Sequence, residues 1–320
     1  MDVCVLIPTL NEEDSIGEVV EDFKGLGYRV VVIDGHSKDR TVKVAESKGA
    51  EVVLQTGKGK GQAVKEAFRY IDCEVLVMVD GDGTYIPEEV DYILEPIKNG
   101  YADHVIGNRL ANFEKGAFTR LNLWGNKILN FFFRMNYGKN LHDILSGYRA
   151  FTQDVYKNVE LKKTGFEVET EFTVDTIAKG FTLVEVPITY RERGGETKLN
   201  PLRDGFRIAR TINELLRQYS PGRYLYFLGS ILSVVGLLTG LYVTIEWFRD
   251  VNHNLLAIVT ALLIISGLQI LILGVVSDFM FRSSSQMRRE LIEIKREIKE
   301  AKSSSFTPQQ TQTSRQECKK

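Results

Sequence analysis

Over the first 200 residues, short apolar runs alternate with amphipathic stretches. Residues 3–8 predict a strand, and 12–26 a helix with Ile16, Val19, Val20 and Phe23 on one face. Strands at 29–34, 51–55 and 74–80 then alternate with helices at 41–48 and 61–70. Residues 87–99 predict a further helix, with Pro87 in its first turn and Gly100 just past its end. Short strands follow at 104–109 and 182–190. Such alternation predicts an α/β fold, a doubly wound, mostly parallel sheet with right-handed crossovers. The unbroken run Val75-Leu76-Val77-Met78-Val79 predicts a strand covered on both faces, as parallel sheets require.

The pattern changes after about residue 112. Leu121, Trp124, Ile128, Leu129 and Phe132 recur at helical spacing in an aromatic-rich stretch flanked by Arg120, Lys127 and Arg134. An interfacial helix is expected there, with a core-packing helix as the alternative. Phe206, Ala209, Ile212, Leu215, Leu216 and Tyr219 form a second stripe, suited to a membrane surface or to packing on the domain. Residues 224–247 and 255–281 are apolar apart from Glu246 and Asp278 near their ends. A bilayer span needs about 20 such residues, so these predict a transmembrane hairpin. Arginines at 207, 210, 217, 223, 282, 288 and 289 flank it on one side, against a single arginine in its short link. The positive-inside rule therefore puts the folded domain and both termini in the cytoplasm of a multi-pass cell-membrane protein. Met287, Leu291, Ile294 and Ile298 then recur at spacings of 4, 3 and 4, a repeat too short by itself to establish a coiled coil. The expected organisation is a folded domain over 1–202, an amphipathic helix over 203–223, two spans over 224–281, a charged helix over 282–302 and a polar, disordered tail over 303–320.

Composition removes some alternatives. The formal net charge is −1, so no overall basic field points to nucleic acid. The three cysteines, Cys4, Cys73 and Cys318, are far apart and lack metal-type spacing, which fits reduced thiols. The start of the chain has no basic and apolar leader pattern.

The strongest chemical signal is Asp80-Gly81-Asp82-Gly83-Thr84, at the end of the most apolar strand. Ligands of open α/β sheets bind beyond the carboxyl ends of strands. Two hard carboxylates there suit Mg²⁺ or Mn²⁺ bridging a diphosphate, although a bare Asp-Gly turn closing a strand has the same sequence. Two further polar turns are expected at the same edge, one around Pro8, Asn11 and Glu12 and one around Asp34 and Ser37. Asp34 is placed to accept from a nucleobase N–H or a ribose hydroxyl, and Asn11 to cap a helix. Lys58-Gly59-Lys60-Gly61 is a cationic loop before a helix, with Lys60 or the Gly61 amide facing the nucleotide or merely solvated. Glu167, Glu169 and Glu171 alternate as on a strand face and receive no role. No GxGxxG occurs, which counts against a dinucleotide-dependent dehydrogenase.

Taken in order, Pro8-Thr9-Leu10-Asn11-Glu12, Asp34 with its Gly-x-Ser turn, Gly59-Lys60-Gly61, Asp80-x-Asp82, Gly107-Asn108-Arg109 and Asp143 through Ser146-Gly147-Tyr148-Arg149 resemble family-2 glycosyltransferases. Arg149 with its preceding Ser-Gly-Tyr, Arg191 with Lys198, and the trailing hairpin resemble the dolichyl-phosphate sugar synthases of that family. The resemblance covers residues 1–281 and implies a GT-A-like domain. It also implies inverting transfer of a hexose or N-acetylhexosamine from a nucleotide sugar to dolichyl or polyprenyl phosphate. Asp80 and Asp82 would hold Mg²⁺ or Mn²⁺, with Pro8, Glu12, Asp34, Lys60, Asp80, Arg191 and Lys198 on the donor. Asp82, Arg109 and Arg149 would be the catalytic set, the arginines gripping the acceptor phosphate through their planar forks. Thr84 stands where mannose enzymes often carry glutamine, and Ile33 where the family often has a first Asp. The first departure tilts the expected donor from GDP-mannose towards a UDP-sugar such as UDP-GlcNAc or UDP-Glc, and the second leaves Asp34 to carry base or ribose recognition with less help. Transfer to a lipid-linked glycan, and a non-catalytic membrane-anchored scaffold, are the alternatives. The bilayer is an expected partner, nucleic acid is not, and a homo-oligomer is compatible with the pattern.

Overall fold

The computed structural model describes residues 1–137, 140–165, 167–194, 201–219 and 221–305. Strands β1 (Val3–Thr9), β2 (Arg29–Asp34), β3 (Glu51–Leu54), β4 (Val75–Met78), β5 (His104–Phe113), β6 (Arg149–Thr152) and β7 (Leu183–Tyr190) form one sheet. Its order is β3-β2-β1-β4-β6-β5-β7. Helices α1 (Ile16–Gly25), α2 (Thr41–Ser47), α3 (Lys60–Tyr70), α4 (Val90–Lys98), α5 (Arg120–Tyr137), α6 (Gln153–Asn158) and α7 (Val168–Ala178) connect and cover it.

Period-two alternation divides the strand residues between two cores. Val5, Ile7, Val30, Val32, Val75 and Val77 face α1 and α4. Cys4, Leu6, Val31, Ile33, Leu76 and Met78 face α3, α6 and α7. This is why β4 tolerates no polar residue until Asp80. The pairings β1–β2, β1–β4, β2–β3 and β5–β7 are parallel, whereas β6 runs antiparallel between β4 and β5. The chain steps outward through β2 and β3, then crosses back to set β4 on the other side of β1. That reversal is a topological switch point, and it gathers the turns after β1, β2 and β4 at one edge.

Several boundaries differ from the sequence reading. β1 runs one residue further, to Thr9, with Pro8 in register with Ile33 and Thr9 with Asp34. β4 ends at Met78, and β5 runs on to Phe113. Strand β6 was not expected, because Arg149 breaks its apolar pattern. Of the alternating glutamates, Glu169 and Glu171 lie on helix α7 and Glu167 at its N-cap, not on a strand.

α5 and α8 (Pro201–Tyr219) share a third core, in which Leu129 and Phe133 meet Ile208 and Ile212. The opposite face of α5 leaves Trp124, Ile128, Phe131 and Met135 exposed. The helix therefore packs on the core along one face, the alternative weighed from sequence, and leaves an apolar surface on the other. α9 (Pro221–Trp247) and α10 (Asn254–Ser305) follow. Segments Gly222–Trp247 and Asn254–Phe281 are long and apolar enough to cross a bilayer. They pack through glycines: a Cβ on Gly229 would lie 2.9 Å from Gly267 O, and one on Gly236 3.1 Å from Ile264 N. Close backbone approach through small residues is how helices associate where apolar surface alone gives no drive. The charged helix expected over 282–302 is a direct continuation of the second apolar helix within α10.

Candidate functional site

The turns after β1 and β2 interlock. Asn11 N donates to Ser37 Oγ at 2.8 Å, and Lys38 N donates to Asn11 Oδ1 at 2.8 Å. Asn11 (φ 51°) and His36 (φ 66°) are both left-handed, a conformation that a few per cent of non-glycine residues adopt and that clusters at functional sites. Asn11 is thus a loop tie and not a helix cap. Asp34 is fully buried and its oxygens are taken locally, by Ser37 N at 2.8 Å, Ser37 Oγ at 2.5 Å and Thr9 Oγ1 at 3.3 Å. Through these bonds it shapes the turn.

Beyond β4 each carboxylate holds a cation. Lys60, the first residue of α3, lies 2.5 Å from Asp80 Oδ1 and 2.6 Å from Glu169 Oε1. Burial works against the ammonium, but the two carboxylates outweigh it and raise the Lys60 pKa. Burial likewise pushes Asp80 up, and Lys60, Arg109 and Arg193 outweigh this and leave it below the usual carboxylate range. A side chain on Gly147 would overlap Asp80 Oδ2, so glycine is required there. The Gly61 amide does not face this pocket. It donates to Thr164 O at 3.0 Å.

Asp82 Oδ1 accepts from Thr84 Oγ1 at 2.6 Å and Thr84 N at 3.2 Å. Its Oδ2 faces Arg193 Nη1 at 3.3 Å, while Arg193 Nη2 reaches Glu12 Oε1 at 3.1 Å. Thr84 is buried and orients Asp82. Arg191 serves through its backbone, its N–H donating to Thr84 O at 2.8 Å while its side chain is exposed. Asp82 is met by Arg193, two residues on from the arginine singled out in the sequence. Lys198 lies outside the described residues.

The arginines expected to grip a phosphate are engaged elsewhere. Arg109 forms a fork with Asp143, Nε to Oδ2 at 2.8 Å and Nη2 to Oδ1 at 2.8 Å, and stacks on Phe118 and Tyr190. Its side chain keeps 11% exposure at the pocket wall. Arg149 is buried completely on β6. Its guanidinium donates to Ser146 O at 2.7 Å, Ile144 O at 2.6 Å and Thr173 Oγ1 at 2.9 Å. Burial lowers its pKa to about 10. A guanidinium so placed braces the 144–149 turn and presents nothing to a lipid. The expectation that Arg149 contacts the acceptor is corrected accordingly: its side chain is covered by the 144–149 turn and by Thr173 of α7, with no exposed surface. Behind it, burial and the Arg149 charge push His104 well below its ordinary value, so it is neutral.

Sequence reasoning missed Arg193, Asp143 as the Arg109 clamp, and Glu169. Glu171, also buried, accepts the backbone N–H groups of Lys162 and Lys163, both within 3.0 Å. Among the described residues no group of three or more His, Cys, Asp or Glu is arranged to hold a metal.

Comparisons with known proteins show the family. Residues 4–160 match the model of glycosyl transferase family 2. Glycosyltransferase AglJ of Haloferax volcanii is 41% identical over 300 residues, covering 91% of this chain and 98% of that protein. A dolichyl-phosphate hexose transferase of the same organism is 37% identical, over 66% of this chain and 92% of its own. Dolichol-phosphate mannosyltransferase of Pyrococcus furiosus is 33% identical, over 68% and 62% respectively. Among solved structures, glucosyl-3-phosphoglycerate synthase from Mycobacterium tuberculosis, in complex with Mn²⁺ and UDP-glucose, shares the fold. Its TM-score is 0.55 at 22% identity, over 68% of this chain and 78% of that one. With the aspartate turn at the switch point of the sheet and a relative 41% identical over 91% of the chain, this protein belongs to glycosyl transferase family 2.

Proposed function

We propose that the protein transfers a hexose or N-acetylhexosamine from a nucleotide sugar to dolichyl or polyprenyl phosphate, inverting the anomeric centre, at the cytoplasmic face of a membrane. One observation carries the reading: the Asp80–Asp82 turn sits at the switch-point edge of a domain that ends in a hairpin able to cross a bilayer. Relatives named as dolichyl-phosphate hexose transferase and dolichol-phosphate mannosyltransferase support the acceptor class. Arginines flanking the hairpin on one side support the cytoplasmic placement.

The donor set fits Mg²⁺ or Mn²⁺. Hard cations of this kind commonly take one or two carboxylates and complete their shell with substrate phosphates and water. Asp82, with Asp80 beside it, supplies that number. Thr84 donates its hydroxyl proton to Asp82 and so orients that carboxylate. When bound, the metal would neutralise charge on the departing nucleoside diphosphate. The chain's own groups do the rest. Lys60 and Arg193 place positive charge beside the diphosphate position, and Arg193 must leave Asp82 before the donor settles. Arg109, held by Asp143 at the pocket wall, offers the remaining guanidinium charge for the acceptor phosphate. That phosphate already bears negative charge and needs placement more than a strong base.

A UDP-sugar is the favoured donor over GDP-mannose, because Thr84 stands where the mannose enzymes often carry glutamine. Titrating the full chain with UDP and GDP in Mn²⁺ tests this part. Tighter UDP binding supports it, and a clear GDP preference reverses it.

A further inference from the structure

α10 does not end where its apolar segment ends. It continues unbroken to Ser305. Its packing partner within the chain is α9. That partner stops early, for Gly222, at the start of α9, lies against Asp278. Beyond that point α10 runs on without α9. At about 1.5 Å per residue, the part past Phe281 is about 36 Å long.

Along this extension Met287, Leu291, Ile294 and Ile298 are 61%, 53%, 50% and 51% exposed. They fall on one seam with spacings of 4, 3 and 4. Assigning Met287 and Ile294 to position d puts Leu291 and Ile298 at a, and Ala301 at the next d. The same register puts Glu290 and Glu297 at g, and Lys295 and Lys302 at e. In a parallel pair, position g of one helix neighbours position e of the next heptad on the other. Both such neighbours, 290 with 295 and 297 with 302, are of opposite sign.

We propose that this extension is a self-association surface, on which second copies of the chain join seam to seam in a parallel coiled coil. The membrane supplies what the short repeat lacks. Two copies in one bilayer emerge from it in the same direction, so the parallel arrangement is the one available to them. Confinement to the bilayer also raises their effective concentration, which lets a short seam suffice. The bilayer surface is a poorer occupant, since a straight continuation of a spanning helix points away from the lipid. The inference rests on α10 crossing the membrane, not on the sugar or acceptor assigned above.

Cysteine cross-linking of the full chain in native membranes tests it, in a Cys318→Ser background where Cys4 and Cys73 are buried. Single cysteines at the seam (Leu291→Cys, Ile294→Cys) should give a covalent dimer on mild oxidation at least fivefold more than those at the outer positions (Arg289→Cys, Arg296→Cys). Ile294→Glu should lower the number of copies per particle in nanodiscs while leaving basal transferase activity unchanged, and Ile294→Leu should preserve it. Equal cross-linking at all four positions would overturn the proposal. So would a single copy per particle in the unaltered chain, or quenching of a fluorophore at 294 by brominated lipid.

Discussion

Arg149→Lys separates a bracing arginine from a phosphate-binding one. The guanidinium satisfies Ser146 O, Ile144 O and Thr173 Oγ1 from a fully buried position. A lysine ammonium is a point donor on a flexible stem and cannot span that fork. Two of the three acceptors lose their donor, and each buried orphan costs about 1–3 kcal/mol. A loss of about 3 kcal/mol is therefore expected. At about 2–4 °C per kcal/mol for a domain of this size, the apparent Tm falls by about 6–12 °C. The assay is thermal unfolding of the full chain in detergent, with transfer kinetics measured well below the transition. Both donor and acceptor kinetics should suffer together, because the 144–149 turn carries Gly147 against Asp80. An unchanged Tm with a defect confined to the acceptor KM would refute the bracing role and restore direct phosphate contact.

Three further outcomes are expected. Asp82→Ala should keep the fold but lose transfer activity on the order of 100-fold or more; full activity of this variant in EDTA would remove the metal from the account. Arg193→Ala should tighten Mn²⁺ binding about fivefold in an EPR titration without substrate, since two partly exposed ion pairs worth about 1 kcal/mol together no longer compete for Glu12 and Asp82; unchanged affinity would show that Arg193 does not hold the cation position. His104 titrates below its unfolded value, so the unfolded chain takes up its proton first and stability falls as pH drops below about 6.5; between pH 6.5 and 5.5 the unaltered chain should lose about 1 kcal/mol more than His104→Gln, and parallel curves for the two would contradict a neutral buried His104.

Much of this was legible in the sequence, for identifiable reasons. β1, β2 and β4 are apolar on both faces, a pattern that only a covered sheet produces, and their polar ends marked the edge where Asp80 and Asp82 lie. The hairpin declared itself by length and apolarity. What failed was longer-range. β6 is four residues with an arginine at its start, and its place between β4 and β5 depends on partners far away in the chain. With β6 unseen, nothing marked Arg149 as buried. The period-two glutamates at 167, 169 and 171 imitated a strand, but tertiary burial from Val168 to Thr176 overrode the local pattern. Arg193 was within sight, two residues beyond Arg191. Choosing between them required knowing that the backbone N–H of Arg191 ties to Thr84 O and turns the next alternate side chain towards Asp82.

The central claim is transfer of a sugar to a polyprenyl phosphate. It is tested most directly by incubating the purified full chain with dolichyl phosphate, Mg²⁺ or Mn²⁺ and a panel of radiolabelled UDP- and GDP-sugars, then extracting the lipid. Label should enter the organic phase with a UDP-sugar, depend on the divalent cation and disappear in Asp82→Ala. A folded, donor-binding protein that transfers no label to dolichyl phosphate with any donor, or labels only a lipid-linked glycan, would contradict the account.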